Sequence, residues 1–158
     1  MFKALSATED ILIAEQCVSG IAMLSSHPMS RVQIVEQHAD AIIFDSYKEG
    51  AGEQCGWPSD EMEFGAVLTL YNLSWHEETR RVVMSRGAVK AITQLLHSDD
   101  DETRRIALQS LHNLAIDPEN IPLLMGSKDT ADVLDPLRYL ACEMAVCTHF
   151  KPDSFALQ

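Results

Sequence analysis

Apolar residues recur three and four positions apart along most of the chain, which is the spacing of one face of an α-helix. The pattern is clearest over residues 61–74 and 102–115, and each of these segments predicts a long helix with one apolar stripe. The stripes consist of Ala66, Val67, Leu70 and Leu73 in the first segment and Ile106, Ala107, Leu111 and Leu114 in the second.

Two shorter helices are predicted between the long ones. The apolar spacing indicates a short helix over 78–85 and a medium one over 88–97, with a break at Arg86 and Gly87. Gly87 suits a sharp corner because glycine tolerates a positive φ angle. A short, a medium and a long helix therefore follow one another.

Acidic residues mark the predicted starts of both long helices. Asp60 is followed three positions later by Glu63, and Asp99 is followed in the same way by Glu102. This arrangement is an acidic version of the capping box, in which the first residue accepts hydrogen bonds from the exposed N–H groups of the first turn. We therefore expect Asp60 and Asp99 to be the N-caps.

The order of short, medium and long helices repeats along the chain. Residues 66–84 align without gaps to 107–125, a shift of 41, with six identities among nineteen positions. Upstream, residues 17–31 align with the segment that begins at residue 66, a shift of 49, and the eight extra positions fall in the Gly-containing stretch 49–60. One helix triplet cannot cover its own apolar face, so neighbouring units must stack.

The tetrapeptide ETRR occurs at 78–81 and at 102–105, but its copies lie 24 residues apart, outside the 41-residue register. We interpret the two copies as different positions of the repeat. Their arginines follow acidic residues by four positions, a favourable order for helical ion pairs of about 0.2–0.5 kcal/mol each. A solvated face fits these arginines better than a phosphate site does, because carboxylates surround them. The expected pairs are Glu77–Arg81, Asp100–Arg104 and Asp101–Arg105.

The run ETRRVVMSRGAVKAITQLLHSDDDETRRIALQSLHNLA resembles an armadillo repeat. It has a short helix, a Gly-Ala-hydrophobic corner, a second helix with a Leu pair, an acidic turn and an Ala-containing third helix that ends in Asn-Leu. The resemblance is clearest over 66–127, extends over 15–48 and fades after 128. It implies an all-α fold, a right-handed α-solenoid in which three-helix repeats form an armadillo-like superhelix and the third helices line a groove.

On this basis the chain is a single armadillo-like domain, residues 1–158. An opening helix that is apolar on several sides also fits a piece of a longer array, because solenoids usually carry polar caps at both ends. The expected units are a leading helix 7–26, a first repeat 28–74 with a loop insertion 49–60, a second repeat 76–115, a C-terminal partial repeat or cap 117–149 and a tail 150–158.

Asn72 and Asn113 hold the position that, in armadillo proteins that bind extended peptides, points into the groove and pairs with the backbone of the ligand. An amide suits that task because it both donates and accepts hydrogen bonds. The alternative is a residue at a helix C-terminus that satisfies nearby carbonyls. The groove interpretation extends to the positions three, four and seven residues earlier, which are Gly65, Leu68, Thr69, Ile106, Gln109 and Ser110.

Nuclear-import adaptors of this family carry Trp four residues before that Asn, so that a Lys or Arg stem lies between indoles. Here Leu68 and Gln109 stand in those places, and Met23 replaces the Asn in the leading helix. The sequence therefore disfavours a cargo adaptor of the nuclear-import type.

Charge narrows the choice of partners. The net charge is −12, spread over the whole chain, which disfavours nucleic acids and anionic membranes and favours a basic protein partner. No targeting signal or membrane-length apolar run occurs, and the four cysteines show no framework spacing. We expect a cytoplasmic or nuclear protein with reduced thiols.

Catalytic and metal-binding patterns find little support. Cys142, Cys147 and His149 share one predicted helix, but a five-residue step turns the two thiols about 140° apart. The histidines lack a nucleophile and a carboxylate at motif spacing, so we expect no enzyme activity, no metal and no cofactor.

Trp57, in the inserted loop, is either an exposed interface anchor or a plug that folds back over the longer connection.

These observations predict a non-enzymatic protein–protein interaction scaffold that docks a partner segment on its groove. Two other hypotheses stay open. In the first, the chain is a structural subunit of a large cytoskeletal, ciliary or chromatin-linked assembly and uses its convex face or inserted loop. In the second, it is a regulatory cap of an enzyme within a longer polypeptide.

Overall fold

The computed structural model describes residues 10–47, 56–121 and 124. These residues form seven α-helices and no β-strand, so the fold is all-α, as predicted. None of the described helices combines the length and apolar character needed to cross a bilayer. The helices are α1 (Ile11–Ser26), α2 (Pro28–Glu36), α3 (Ala41–Ser46), α4 (Asp60–Ser74), α5 (Glu77–Ser85), α6 (Ala88–Leu95) and α7 (Asp101–Ala115), followed by a 3-10 turn at Pro118–Asn120.

Two shorter helices precede each of the long helices α4 and α7, but the expected short-then-medium order is wrong, because α5 has nine residues and α6 eight. The two ETRR copies lie in different elements. The first copy lies in the short helix α5, and the second lies at the start of the long helix α7. The start of the leading helix before residue 10, most of the inserted loop and the predicted C-terminal cap, with Cys142, Cys147 and His149, lie outside the described residues.

Both predicted N-caps are wrong by one residue. Ser59 caps α4 by accepting a hydrogen bond from the backbone N–H three positions on, and Asp60 becomes the first helical residue. Asp100 rather than Asp99 caps α7, because Thr103 donates both its backbone N–H and its hydroxyl to the Asp100 carboxylate, each at 2.8 Å. Asp60 still lies in the first turn, where a negative charge is favourable to the helix dipole.

The α2–α3 corner and the α5–α6 corner each contain a residue with a left-handed backbone conformation. Gly87 has φ 91° at the α5–α6 corner, which confirms the prediction for that glycine. His38, 49 positions earlier, has φ 54° at the α2–α3 corner. Side-chain-bearing residues seldom adopt this region, although histidine does so more often than most. The backbone of the corner therefore repeats even where the residue type does not.

The long helices lie side by side: α1 packs along α4, and α4 packs along α7. We call these two contacts the α1–α4 seam and the α4–α7 seam. Their close approach is visible at Gly65, where an added Cβ would lie 2.7 Å from Cγ1 of Val18. One continuous core joins all seven helices and includes Val18, Ile34, Ile43, Leu70, Val83, Ile92 and Leu111.

Candidate partner-binding face

Asn72 and Asn113 form equivalent hydrogen bonds across the two seams. The Asn72 side-chain amide donates to Oγ of Ser25 at 3.0 Å, and the Asn113 amide donates to Oγ of Ser74 at 3.0 Å. Each serine hydroxyl in turn donates to a carbonyl of its own helix, three residues earlier. The same two-step connection therefore ties each long helix to the one before it.

Neither alternative considered for these asparagines describes this contact, because the partner is a hydroxyl of the neighbouring long helix. Asn113 is buried, with 6% of its surface exposed, whereas Asn72 is half-buried. Pairing with the backbone of a ligand remains a prediction for Asn72. For Asn113 the arrangement seen here leaves little of the side chain within reach of a partner.

Four of the six positions assigned to the groove lie inside the structure. Gly65, Thr69, Ile106 and Ser110 are buried, and the hydroxyls of Thr69 and Ser110 donate to backbone carbonyls of their own helices at 2.8 and 2.9 Å. We expected the asparagines to lie at the centre of the open face of the long helices. They lie instead at the edge of that face, beside the seams. Positions three and seven residues before each asparagine consequently turn towards the adjacent helix.

The outward surface of α4 is instead apolar and aromatic, a feature that the sequence pattern did not predict. Phe64 and Trp75 are 40% and 55% exposed, and Leu68 and Tyr71 between them are partly buried. Tyr71 and Trp75 meet edge to face with ring centroids 5.9 Å apart. Their spacing of four, three and four residues places all of them on one side of the helix. We call Phe64, Leu68, Tyr71 and Trp75 the α4 aromatic strip.

The equivalent faces of the neighbouring long helices are mostly polar. Gln109, a predicted groove residue, is exposed on α7 at the position that Leu68 occupies on α4. The aromatic strip therefore lies between two more polar helix faces, an arrangement typical of protein interaction surfaces. The equivalent positions are Glu15, Ser19, Ala22 and Ser26 on α1, and Arg105, Gln109, His112 and Ile116 on α7.

Arg105 is the charged residue of α7 nearest in register to the strip. Its Nε donates to Glu102 at 2.8 Å. The pKa of Arg105 is raised, mainly by this hydrogen bond and in smaller part by Tyr71 of the strip, and the pKa of Glu102 is lowered by the same bond. The polar edge of the strip on the α7 side is thus an ion pair that is already formed.

Arg80 is an exception to the solvated face predicted for the arginines. It is 8% exposed, and it donates to the backbone carbonyls of Ser74 and Trp75 at 2.9 and 3.2 Å. Arg31, its equivalent 49 positions earlier, donates in the same way to the last two carbonyls of α1. These arginines satisfy carbonyls that a helix C-terminus leaves without partners.

Ion pairs form among the remaining arginines, although with shifted partners. The expected Glu77–Arg81 pair is present at 3.2 Å. Arg104 pairs with Asp101, and Arg105 pairs with the acid three residues before it rather than four. Asp100, the partner predicted for Arg104, is occupied as the cap of α7.

Trp57 lies against the described core, which corresponds to the second of its two predicted roles. Its indole N–H donates to the carbonyl of Ile43 at 3.2 Å, and its ring packs edge to face on Tyr47 with centroids 4.9 Å apart. The side chain is partly buried. This position makes Trp57 a part of the connection between α3 and α4 rather than a projecting anchor.

Arg86 links the α5–α6 corner to the α2–α3 corner. It forms an ion pair with Asp40, donates to the carbonyl of Val35 at 3.2 Å and lies 2.9 Å from Nδ1 of His38. Asp40 is 1% exposed, and its Oδ2 has no hydrogen-bond partner. Burial raises the pKa of Asp40, against the opposing effect of Arg86. The contact therefore connects the two corners through a buried carboxylate.

Within the described part of the chain, no group of three or more His, Cys, Asp or Glu side chains is placed to hold a metal ion. Comparison with known proteins gives no match, either to a protein-family model or to a curated protein. The armadillo resemblance therefore rests on the residues of this chain.

Proposed function

We propose that the chain is a non-enzymatic protein-interaction scaffold that docks a segment of a partner protein on the outward face of its long helices. The proposed architecture is an armadillo-like, right-handed α-solenoid of three-helix repeats. Side-by-side packing of α1, α4 and α7 supports this proposal, as do the equivalent asparagine–serine hydrogen bonds at both seams.

The α4 aromatic strip is the observation that carries the proposal. Large aromatic residues exposed along one helix and bordered by polar faces resemble the centre and rim of a protein interface. The helix carrying them is held by neighbours on both sides, so the strip is a preformed surface. A net charge of −12 favours a protein partner over nucleic acid or an anionic membrane.

Site-specific photocrosslinking of the full chain tests the proposal. A photoreactive phenylalanine at Gln109 stands beside the strip, and the same residue at Gln33 on α2 is the matched control, since both positions are exposed. In cells that produce the protein, we expect a discrete adduct from position 109 that disappears in the Trp75→Ala variant. Adducts from position 33 alone would contradict the proposal and favour a structural subunit that uses its other face.

A further inference from the structure

We infer that the partner segment is an amphipathic helix that lays its apolar side along the α4 aromatic strip and its basic residues beside the first turn of α4. This inference rests on the proposed function and specifies the partner that the same face accepts. Three features support it: the spacing of the strip, the engagement of the asparagine amides and the distribution of charge.

The spacing of the strip fits another helix. Glu61 precedes Phe64 by three residues, and the positions 61, 64, 68, 71 and 75 alternate steps of three and four, as in the contact line of helices that pack side by side. From Phe64 to Trp75 the strip covers about 16 Å, or three helical turns. A partner helix of about twelve to fourteen residues would follow its whole length.

An extended peptide fits the face less well. Recognition of an extended backbone requires amide groups that are free to pair with it. The Asn72 amide already commits one of its two N–H donors across the α1–α4 seam, and Asn113 is buried. Affinity on this face must therefore come mainly from side chains, and a helix supplies apolar side chains at the spacing of the strip without exposing its own backbone groups.

Charge indicates the composition of the partner. The first turn of α4 carries Asp60, Glu61 and Glu63, and none of them forms an ion pair within the described part of the chain. The first turn of α7 also contains acids, but Arg104 and Arg105 pair with them. These three acids thus leave negative charge uncompensated at the start of the helix that bears the aromatic strip, where Lys or Arg of a partner would be attracted.

Selection from a library of displayed 16-residue random peptides on the full chain tests the inference. We expect enriched sequences to place apolar residues at helical spacing and Lys or Arg at one end. A synthetic copy should gain helical circular dichroism on binding. In fluorescence anisotropy, Trp75→Ala should weaken it about tenfold, and Glu61→Lys about fivefold.

Matched variants separate recognition from folding. Gln33→Ala on α2 should bind like the wild type, and unchanged helical circular dichroism would show that Trp75→Ala remains folded. A peptide in which the basic residues are replaced by Glu should prefer the Glu61→Lys variant. That exchange of preference requires a folded face in both proteins.

Several outcomes would overturn the inference: no enrichment, enrichment of proline-containing or alternating extended sequences, or binding unaffected by Trp75→Ala. The crosslink at position 109 distinguishes failure of the helical partner from failure of the proposed interaction scaffold. If it captures a partner while the selected peptides bind in extended form, the helical partner is wrong and the interaction scaffold stands. If no crosslink forms at position 109, the proposed function itself fails.

Discussion

The seams and the outward faces of the long helices differ in how closely the repeats agree. At both seams an asparagine amide donates to a serine hydroxyl of the preceding helix, at the same distance. On the outward face, equivalent positions carry unrelated side chains. Packing therefore repeats from unit to unit, whereas the surface available to a partner is particular to each helix. One register position of that face holds Glu15 on α1, Phe64 on α4 and Arg105 on α7.

The helix ends beside the seams show that a contact can repeat without the same residue. Thr79 donates its hydroxyl to the carbonyl of Leu73 at 2.6 Å, and Asn120, 41 positions later, donates its amide to the carbonyl of Leu114 at 2.9 Å. The requirement at this place is a donor for a free carbonyl at a helix C-terminus. A hydrogen-bond donor is thus retained at this position, although the residue that supplies it differs.

Truncation of core leucines should give the largest contrast between interior and outward face. Leu70→Ala and Leu111→Ala each remove a side chain that is 1% exposed and should lower the free energy of unfolding by about 2–5 kcal/mol. Gln109→Ala on the exposed face should change it by no more than about 0.5 kcal/mol. Urea denaturation measures all three. Equal effects would mean that the assignment of inward and outward faces is wrong.

Two helical glycines test the tightness of the α1–α4 seam. Gly65→Ala gains helix propensity but drives a Cβ to 2.7 Å from Val18, and overpacking of about 1–3 kcal/mol should outweigh that gain. Gly20→Ala meets nothing within 4 Å and should stabilise the protein by about 0.5–1 kcal/mol. Thermal unfolding should move the two midpoints in opposite directions. A stabilised Gly65→Ala variant would show that the seam is looser than described.

The asparagines should differ in their contribution to stability because they differ in burial. Asn113→Ala leaves a cavity at a buried position and should cost about 1–3 kcal/mol, and Asn72→Ala, at a half-buried position, about 1 kcal/mol. Double-mutant cycles with Ser74→Ala and Ser25→Ala isolate the two hydrogen bonds. No coupling in either cycle would contradict the role given to these bonds. A loss of peptide affinity on Asn72→Ala without loss of stability would restore a ligand-binding role for its amide.

The contributions of Asp40 and Asp100 to the free energy of unfolding should change with pH in opposite directions. We expect these effects to be the smallest of those considered. Burial raises the pKa of Asp40 above its ordinary 3.8, so its contribution to stability is complete below that pH and is lost as pH rises through the folded-state pKa. Hydrogen bonds from Thr103 lower the pKa of Asp100, so its contribution is present above 3.8 and is lost as pH falls through the folded-state pKa. Urea unfolding of Asp40→Asn and Asp100→Asn against the wild type from pH 3 upward measures both. Parallel pH profiles would contradict this difference in environment.

The helices could be predicted from sequence because apolar stripes fix which residues must turn inward. The stripe of α4 and the corner glycine Gly87 are examples, and both are found where expected. The exact caps were not predictable, since adjacent polar residues compete for the cap position: Ser59 with Asp60 at α4, and Asp99 with Asp100 at α7. At α7 the hydroxyl of Thr103 decides in favour of Asp100 over Asp99.

The outward face was harder to predict because an exposed aromatic residue and a buried one look alike in a sequence. Phe64 and Trp75 would have been recognisable as a second apolar line on α4, separate from the stripe that contains Leu70 and Leu73. The orientation of Asn72 depends on how closely α1 approaches α4. The distance between these helices is set by packing between units, and it cannot be predicted from the sequence of either helix alone.

The hydrogen bonds from Arg80 have a mechanical consequence for Trp75. The guanidinium belongs to α5, yet it holds the backbone of Trp75 just beyond the end of α4. A force applied to the indole would therefore be transmitted to α5 as well as to α4. The hydrogen bond would oppose unwinding of the last turn of α4 when a bound molecule dissociates under force.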